Sequence, residues 1–152
     1  MDKKFLIDFM LGKLCKWLRI LGYDAVYFKE TGRQDVLYKS LLEKRILLTR
    51  DHTLSAKRAW KLILIENDFL ENQIKQLVNN KIIEIVPEKF FSRCSICNVL
   101  IENVQKEFVK GKVPEYIYQT HSNFSYCFKC KRIYWPGTHL ELFEKKLKNL
   151  LN

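Results

Sequence analysis

The sequence predicts an α/β domain on a mainly parallel sheet flanked by helices, followed by a small cysteine-rich module and a terminal helix. Three observations carry this. Up to Pro87, short apolar runs alternate with helical patterns, as strands and crossover helices do. Four of the five cysteines then fall in two Cys-x-x-Cys pairs. After Trp135-Pro136-Gly137, Leu140, Phe143, Leu147 and Leu150 form one helical stripe.

Taken in order, Phe5-Leu6-Ile7 reads as a first strand, and Leu11, Leu14, Leu18 and Leu21 as a helix over Met10 to Leu21 ended by Gly22. Ala25 to Phe28 is a second strand, after which Asp35 starts a helix carrying Val36, Leu37, Leu41 and Leu42. Ile46 to Leu48 is a third strand, and Asp51 opens a short helix through Trp60. Leu62 to Ile65 is a fourth strand. A helix follows from Asp68, with Asp68 and Glu71 at capping-box spacing, and Ile82 to Val86 reads as a last strand. The pattern changes at Pro87-Glu88-Lys89, so the expected domains are residues 1–89 and 90–152. Thr138 and Glu141 repeat the capping-box spacing ahead of the terminal helix.

Composition narrows the function. Hydrophobic residues are 47% and aromatics 13%, enough for a buried core and against default disorder. No apolar run approaches the roughly 18 residues of a membrane span. The stretch behind Met1-Asp2-Lys3-Lys4 is too short for a signal-peptide core, so a soluble, cytoplasmic protein without membrane contact is expected. Net charge is +10, which favours polyanion partners, although a generic basic surface gives the same balance.

The cysteine pairs are Cys94/Cys97 and Cys127/Cys130, with 29 residues between Cys97 and Cys127. A two-residue spacer lets a tight turn aim two sulfurs at one ion, and tetrahedral zinc takes four thiolates. A structural zinc ribbon is therefore expected. Disulfides need an oxidising compartment, and a redox pair would not explain a second copy. Cys15, inside an apolar helical pattern, reads as a buried core thiol.

Ligands of an open parallel sheet gather beyond the carboxyl ends of its strands. Asp8 follows the first strand, Asp51 follows the third through Thr49-Arg50, and Asp35 starts the helix after the second. Carboxylates on one rim suit Mg²⁺ or Mn²⁺, which can activate water for phosphodiester cleavage. Singly, each aspartate is also a good helix N-cap. Asp68 is a weaker fourth member.

These residues stand in stretches that resemble a known family. The opening Phe5-Leu-Ile-Asp-Phe-Met-Leu-Gly-Lys-Leu-Cys-Lys-Trp-Leu-Arg-Ile-Leu-Gly-Tyr-Asp24 is similar to the PIN-like RNase domain named after the C-terminus of the mutator exonuclease Mut-seven. Ile46-Leu-Leu-Thr-Arg-Asp51, Phe91-Ser-Arg-Cys-Ser-Ile-Cys-Asn98 and Tyr134-Trp-Pro-Gly-Thr-His139 fit the same family in the same order. The resemblance implies a PIN-like nuclease domain fused to a zinc ribbon and acting on RNA. It makes Asp8, Asp35 and Asp51 the metal-binding catalytic acids, with Asp68 the fourth.

Expected RNA contacts are Lys13, Lys16, Arg19, Arg50 and Arg93, then Lys129, Lys131, Arg132 and His139. His52 beside Asp51 reads as an exposed helix-start residue. Among the aromatics near the second knuckle, Phe128 and Trp135 are expected to pack inside the ribbon. The leading function is thus a metal-dependent ribonuclease acting on single-stranded or structured RNA. Its alternatives are a non-catalytic RNA-binding adaptor, whose acids are only caps, and a toxin-like nuclease regulated by a partner.

Overall fold

The computed structural model describes residues 2–152, apart from the side chains of Thr138 and His139. The chain forms two compact units, Met1–Asn98 and Val99–Asn152.

In the first unit, strands β1 (Lys4–Ile7), β2 (Asp24–Tyr27), β3 (Ile46–Thr49) and β4 (Lys61–Leu64) form one sheet in the order β2-β1-β3-β4. All three pairings are parallel, with Leu6 beside Val26 and Leu47, and Leu47 beside Leu62. Parallel strands need crossovers, and the helices α1 (Gly12–Ile20) and α2 (Arg33–Glu43) supply the first two. The central strands β1 and β3 are buried along nearly their whole length, as their unbroken apolar runs require when both faces are covered. On one face, Leu6, Phe28, Val36, Leu47 and Leu54 form a cluster. Elsewhere α1 packs on β2 and on α3 (Leu70–Asn79), burying Leu14, Cys15, Trp17 and Leu18 of α1 with Ile74 and Leu77 of α3.

Gly22 ends α1 as its position suggested, with φ +99 and its N–H bonded to the Arg19 carbonyl. A Cβ there would stand 2.7 Å from the Lys89 carbonyl oxygen, so glycine is needed on two counts.

Three local expectations are corrected. Ile82 to Val86 is no strand. Its backbone is held by side chains instead: Lys3 Nζ donates to the Lys81 and Ile82 carbonyls, and the Tyr23 hydroxyl bonds both the N–H and C=O of Glu84. Ile83 is its buried anchor. The helix expected from Asp51 through Trp60 is only a 3₁₀ turn, His52–Leu54. Asp68 does not cap α3, which starts behind Phe69, whose N–H donates to Asn67 Oδ1.

The second unit has a three-stranded antiparallel sheet, β5 (Glu102–Val104), β6 (Phe124–Tyr126) and β7 (Ile133–Tyr134), in that order. Its cluster is small: Val109, Ile117 and Phe124 are buried, with Val104, Val113, Tyr118, Ile133 and Trp135 packed around them. Helices α4 (Glu115–Thr120) and α5 (Thr138–Leu151) complete it, and α5 buries Phe143, Leu147 and Leu150 of the expected stripe. The helix starts behind Gly137. No helix among the described residues is long and apolar enough to cross a membrane.

Candidate functional site

The carboxyl ends of the two central strands place Asp8 and Asp51 around one cation. Asp8 leaves β1 in an extended conformation, its N–H still bonded to the Leu48 carbonyl at 3.0 Å, which turns its side chain inward. It is fully buried. Oδ1 accepts from Phe9 N at 2.9 Å and Arg33 Nη2 at 2.9 Å, and Oδ2 from Arg33 Nη1 at 2.7 Å and Thr49 Oγ1 at 2.6 Å. A buried carboxylate requires such partners, because desolvation otherwise disfavours its charged form.

Thr49, buried at the end of β3, joins the two acids. Its hydroxyl donates to Asp8 and accepts from the Asp51 N–H at 3.0 Å. Asp51 caps the turn after it, Oδ1 accepting from the N–H and hydroxyl of Thr53. Its Oδ2 is left for Arg33 Nη1, at 3.1 Å. The Thr53 hydroxyl, then its N–H and the Arg33 guanidinium, hold the Asp51 carboxyl below its ordinary 3.8, with partial burial opposing. Arg33 in turn is pushed up, chiefly by its hydrogen bonds to Asp8. Its Cζ also lies 5.2 Å from the centre of the Phe9 ring.

One guanidinium nitrogen thus has a carboxylate oxygen from each acid beside it, and two negative charges meet one positive charge. Hard oxygen donors of this kind fit Mg²⁺ or Mn²⁺, which bind through one or two carboxylates and keep several waters. Every acceptor position of Asp8 is in use, so an ion there requires Arg33 to withdraw.

Asp35 and Asp68 do not join this pair. Asp35 is exposed in the first turn of α2, where Gly32 and not Asp35 is the N-cap. Its Oδ2 would be 2.6 Å from a Cβ on Gly32, so it leans over the helix start. Asp68 is exposed and forms an ion pair with Arg50. Among the described residues, the only group of three or more acids, histidines or cysteines close enough to share an ion is the four cysteines. Asp24 serves the opposite, amino-terminal edge of the sheet. There it pairs with Arg45 at 2.8 Å and Asn98 at 2.7 Å, contacts of a structural kind.

The expected phosphate contacts divide. Lys13, Lys16, Lys129, Lys131 and Arg132 are exposed, as is His52. Arg19 is committed to backbone carbonyls: Nε to Ala25 at 2.8 Å, Nη1 to Ser95 and Ile96 at 3.1 Å each. Arg93 Nη1 donates to the Asn98 carbonyl. These two arginines brace the first cysteine turn. The side chain of His139 lies outside the described residues. Arg33, Thr49 and Thr53 were not singled out from the sequence. The helix expected from Asp35 left Arg33 outside it, whereas α2 begins at Arg33 and sets this cation against the helix dipole.

Cys94, Cys97, Cys127 and Cys130 place their sulfurs within 4.8 Å of one another. The two turns are alike. Asn98 and Lys131, one residue past each pair, have φ +68 and +65, and donate their N–H groups back to the Cys94 and Cys127 carbonyls at 2.8 and 2.7 Å. At a Zn–S distance of about 2.3 Å the sulfurs of a tetrahedral site stand roughly 3.8 Å apart, so the four thiols fit zinc with a small contraction. Cys15 is separate and buried, its thiol pushed up to about 11 by desolvation and donating to the Ala25 carbonyl. We therefore expect iodoacetamide at pH 8 to label the four clustered cysteines after zinc chelation but to spare Cys15 until the first unit unfolds. Mass spectrometry checks this, and early labelling of Cys15 would contradict it.

The fold and site thus define a parallel α/β unit with an acid-lined carboxyl edge, accompanied by a four-cysteine cluster. Residues 3–147 match the family described as Mut7-C RNAse domain, so the chain belongs to that family, as the motifs implied. No curated protein and no solved structure matches the chain. The family ties the chain to nuclease, RNA-related function.

Proposed function

We propose that the protein is a metal-dependent ribonuclease that hydrolyses RNA phosphodiester bonds at the Asp8–Asp51 edge. The observation that carries this is the Arg33 guanidinium held between the two acids, a monovalent cation where a divalent one would do chemistry. Asp8 and Asp51 would hold Mg²⁺ or Mn²⁺, which when bound activates water and offsets charge on the leaving oxygen. Thr49 keeps both carboxylates aimed at that point through its two hydrogen bonds. Arg33, once displaced, has its charge free for a phosphate oxygen, to which a planar guanidinium can bond through two N–H groups. Asp35 and Asp68 flank the site and join as ligands only if the α2 start and the Arg50 pair rearrange. Zinc held by the four cysteines is structural, and the exposed Lys129, Lys131 and Arg132 take RNA phosphates.

The test uses zinc-loaded protein, an unpaired RNA and a structured RNA, with Mg²⁺, Mn²⁺ or no added divalent ion, beside the Asp51→Asn variant. Cleavage that needs the added ion and falls at least about a hundredfold in the variant is the expected result. RNA bound but intact in every lane would favour the non-catalytic adaptor. Cleavage appearing only after a second protein is removed or added would favour the partner-regulated nuclease.

A further inference from the structure

Phe128 was expected in the core of the cysteine-rich module, yet 59% of it is exposed. It is not alone. The Tyr126 ring meets Phe128 edge to face at 4.7 Å between centroids and Phe108 at 4.9 Å, and Phe108 is itself 38% exposed. Lys112 Nζ sits 3.9 Å from the centre of the Phe108 ring. The second unit therefore carries a row of three mutually braced rings at its surface, ending in Phe128.

A small unit with few buried apolar residues leaves a large ring in water only at a cost, because burial of such rings is what stabilises small cores. Trp135, by contrast, does pack, edge to face on Phe124. The segment that carries the row is cationic. Residues 99–137 hold six lysines and arginines against three glutamates. Among the described residues, Lys110, Lys112, Lys129, Lys131 and Arg132 form no ion pair. Lys129 directly follows Phe128 in the knuckle. Positive charge without acidic partners suits a polyanion, and an open aromatic face beside it suits unpaired bases. Double-stranded RNA hides its base faces and would gain nothing from the rings.

We infer that the Phe108–Tyr126–Phe128 row is a stacking platform for unpaired RNA bases, with Phe128 the ring on which a base rests. This rests on the RNA reading of the protein and adds to it the form of RNA recognised and the residue that recognises it. The lysines set the strength of phosphate attraction, whereas Phe128 separates a strand with bases from one without.

Full-length, zinc-loaded protein in buffer without Mg²⁺ or Mn²⁺ is titrated against fluorescent oligouridine and an abasic sugar-phosphate oligomer of equal length. Phe128→Leu keeps an apolar side chain but removes the ring, and Phe128→Trp keeps a ring. Phe128→Leu should weaken oligouridine binding about tenfold, leave abasic binding and the salt slope unchanged, and be matched by no loss in Phe128→Trp. Equal affinity of the parent and Phe128→Leu for oligouridine, equal losses on both oligomers, or no binding by the parent would each overturn the platform. Metal-dependent cleavage is measured separately on the same proteins. Cleavage with unaltered oligouridine binding in Phe128→Leu refutes the platform and leaves the nuclease standing. Selective loss of base-dependent binding in Phe128→Leu, with no cleavage by the parent, supports the platform and refutes the nuclease.

Discussion

Chelation of zinc is expected to unfold residues 99–152, with a loss on the order of 10 kcal/mol of metal-linked stability. The second unit has three strands of only two or three residues, and besides Cys127 the apolar side chains buried among its described residues are Val109, Ile117, Phe124, Phe143, Leu147 and Leu150. So small a core does not hold a fold by itself, and units of this size usually need a metal or cross-links. Cys127 and Cys130 are the second unit's share of the four-thiol cluster, where zinc would supply the staple. Cys127→Ser should act like the chelator, because it removes one of the four thiols, and a fully buried one. Limited proteolysis with metal analysis checks this: one equivalent of zinc is expected, and its removal should open sites between residues 99 and 137. Unchanged protease resistance in the metal-free protein would show that the cluster carries no folding energy.

The second large effect concerns Arg33. Replacing it by methionine leaves Asp8 fully buried, with only Phe9 N and Thr49 Oγ1 as partners. Breaking a buried pair strands the remaining charge, and because the Arg33 side chain is 28% exposed, a loss of about 2–4 kcal/mol is expected, below the fully buried range. For a chain of this length that lowers the melting temperature by roughly 5–15 °C. The direction should reverse with metal. Mn²⁺ restores the balance of charge at the acids, so it should stabilise Arg33→Met more than the wild-type protein. Thermal melting of both proteins with and without Mn²⁺ reads this directly. Equal stabilisation of the two would mean that Arg33 and the ion do not compete.

Much of this was legible in the sequence because the signals were strong locally. The apolar runs at Phe5-Leu6-Ile7 and Ile46-Leu47-Leu48 suit strands buried on both faces, as in a covered parallel sheet, and both are buried there. The cysteine spacing identified the one multi-ligand cluster among the described residues. Asp8 and Asp51 were placed by the rule that strand ends carry function, and they do share a partner. Failures came where side chains compete with the backbone ladder. Ile82 to Val86 has a strand's composition, but Lys3 and Tyr23, about 60 to 80 residues away, take its backbone groups. Asp68 has the right spacing from Glu71, yet α3 starts behind Phe69 with no side-chain cap, and Asn67 takes the Phe69 N–H ahead of it. Phe128 and Trp135 are indistinguishable by hydrophobicity, and only the three-dimensional path of the knuckle leaves one in water and the other packed. Arg33 was hidden for a different reason. Its role depends on two acids at the ends of β1 and β3, strands that are neighbours in space and not in sequence.

The most direct measurement is a Mn²⁺ titration of zinc-loaded, full-length protein followed by electron paramagnetic resonance, run beside Asp8→Asn and Asp51→Asn. The wild-type protein is expected to bind Mn²⁺ at the carboxyl edge, and each variant to weaken that binding at least about tenfold, since each removes one of two charged ligands. Binding of equal strength in all three proteins would contradict the assignment of Asp8 and Asp51 as the metal-holding acids.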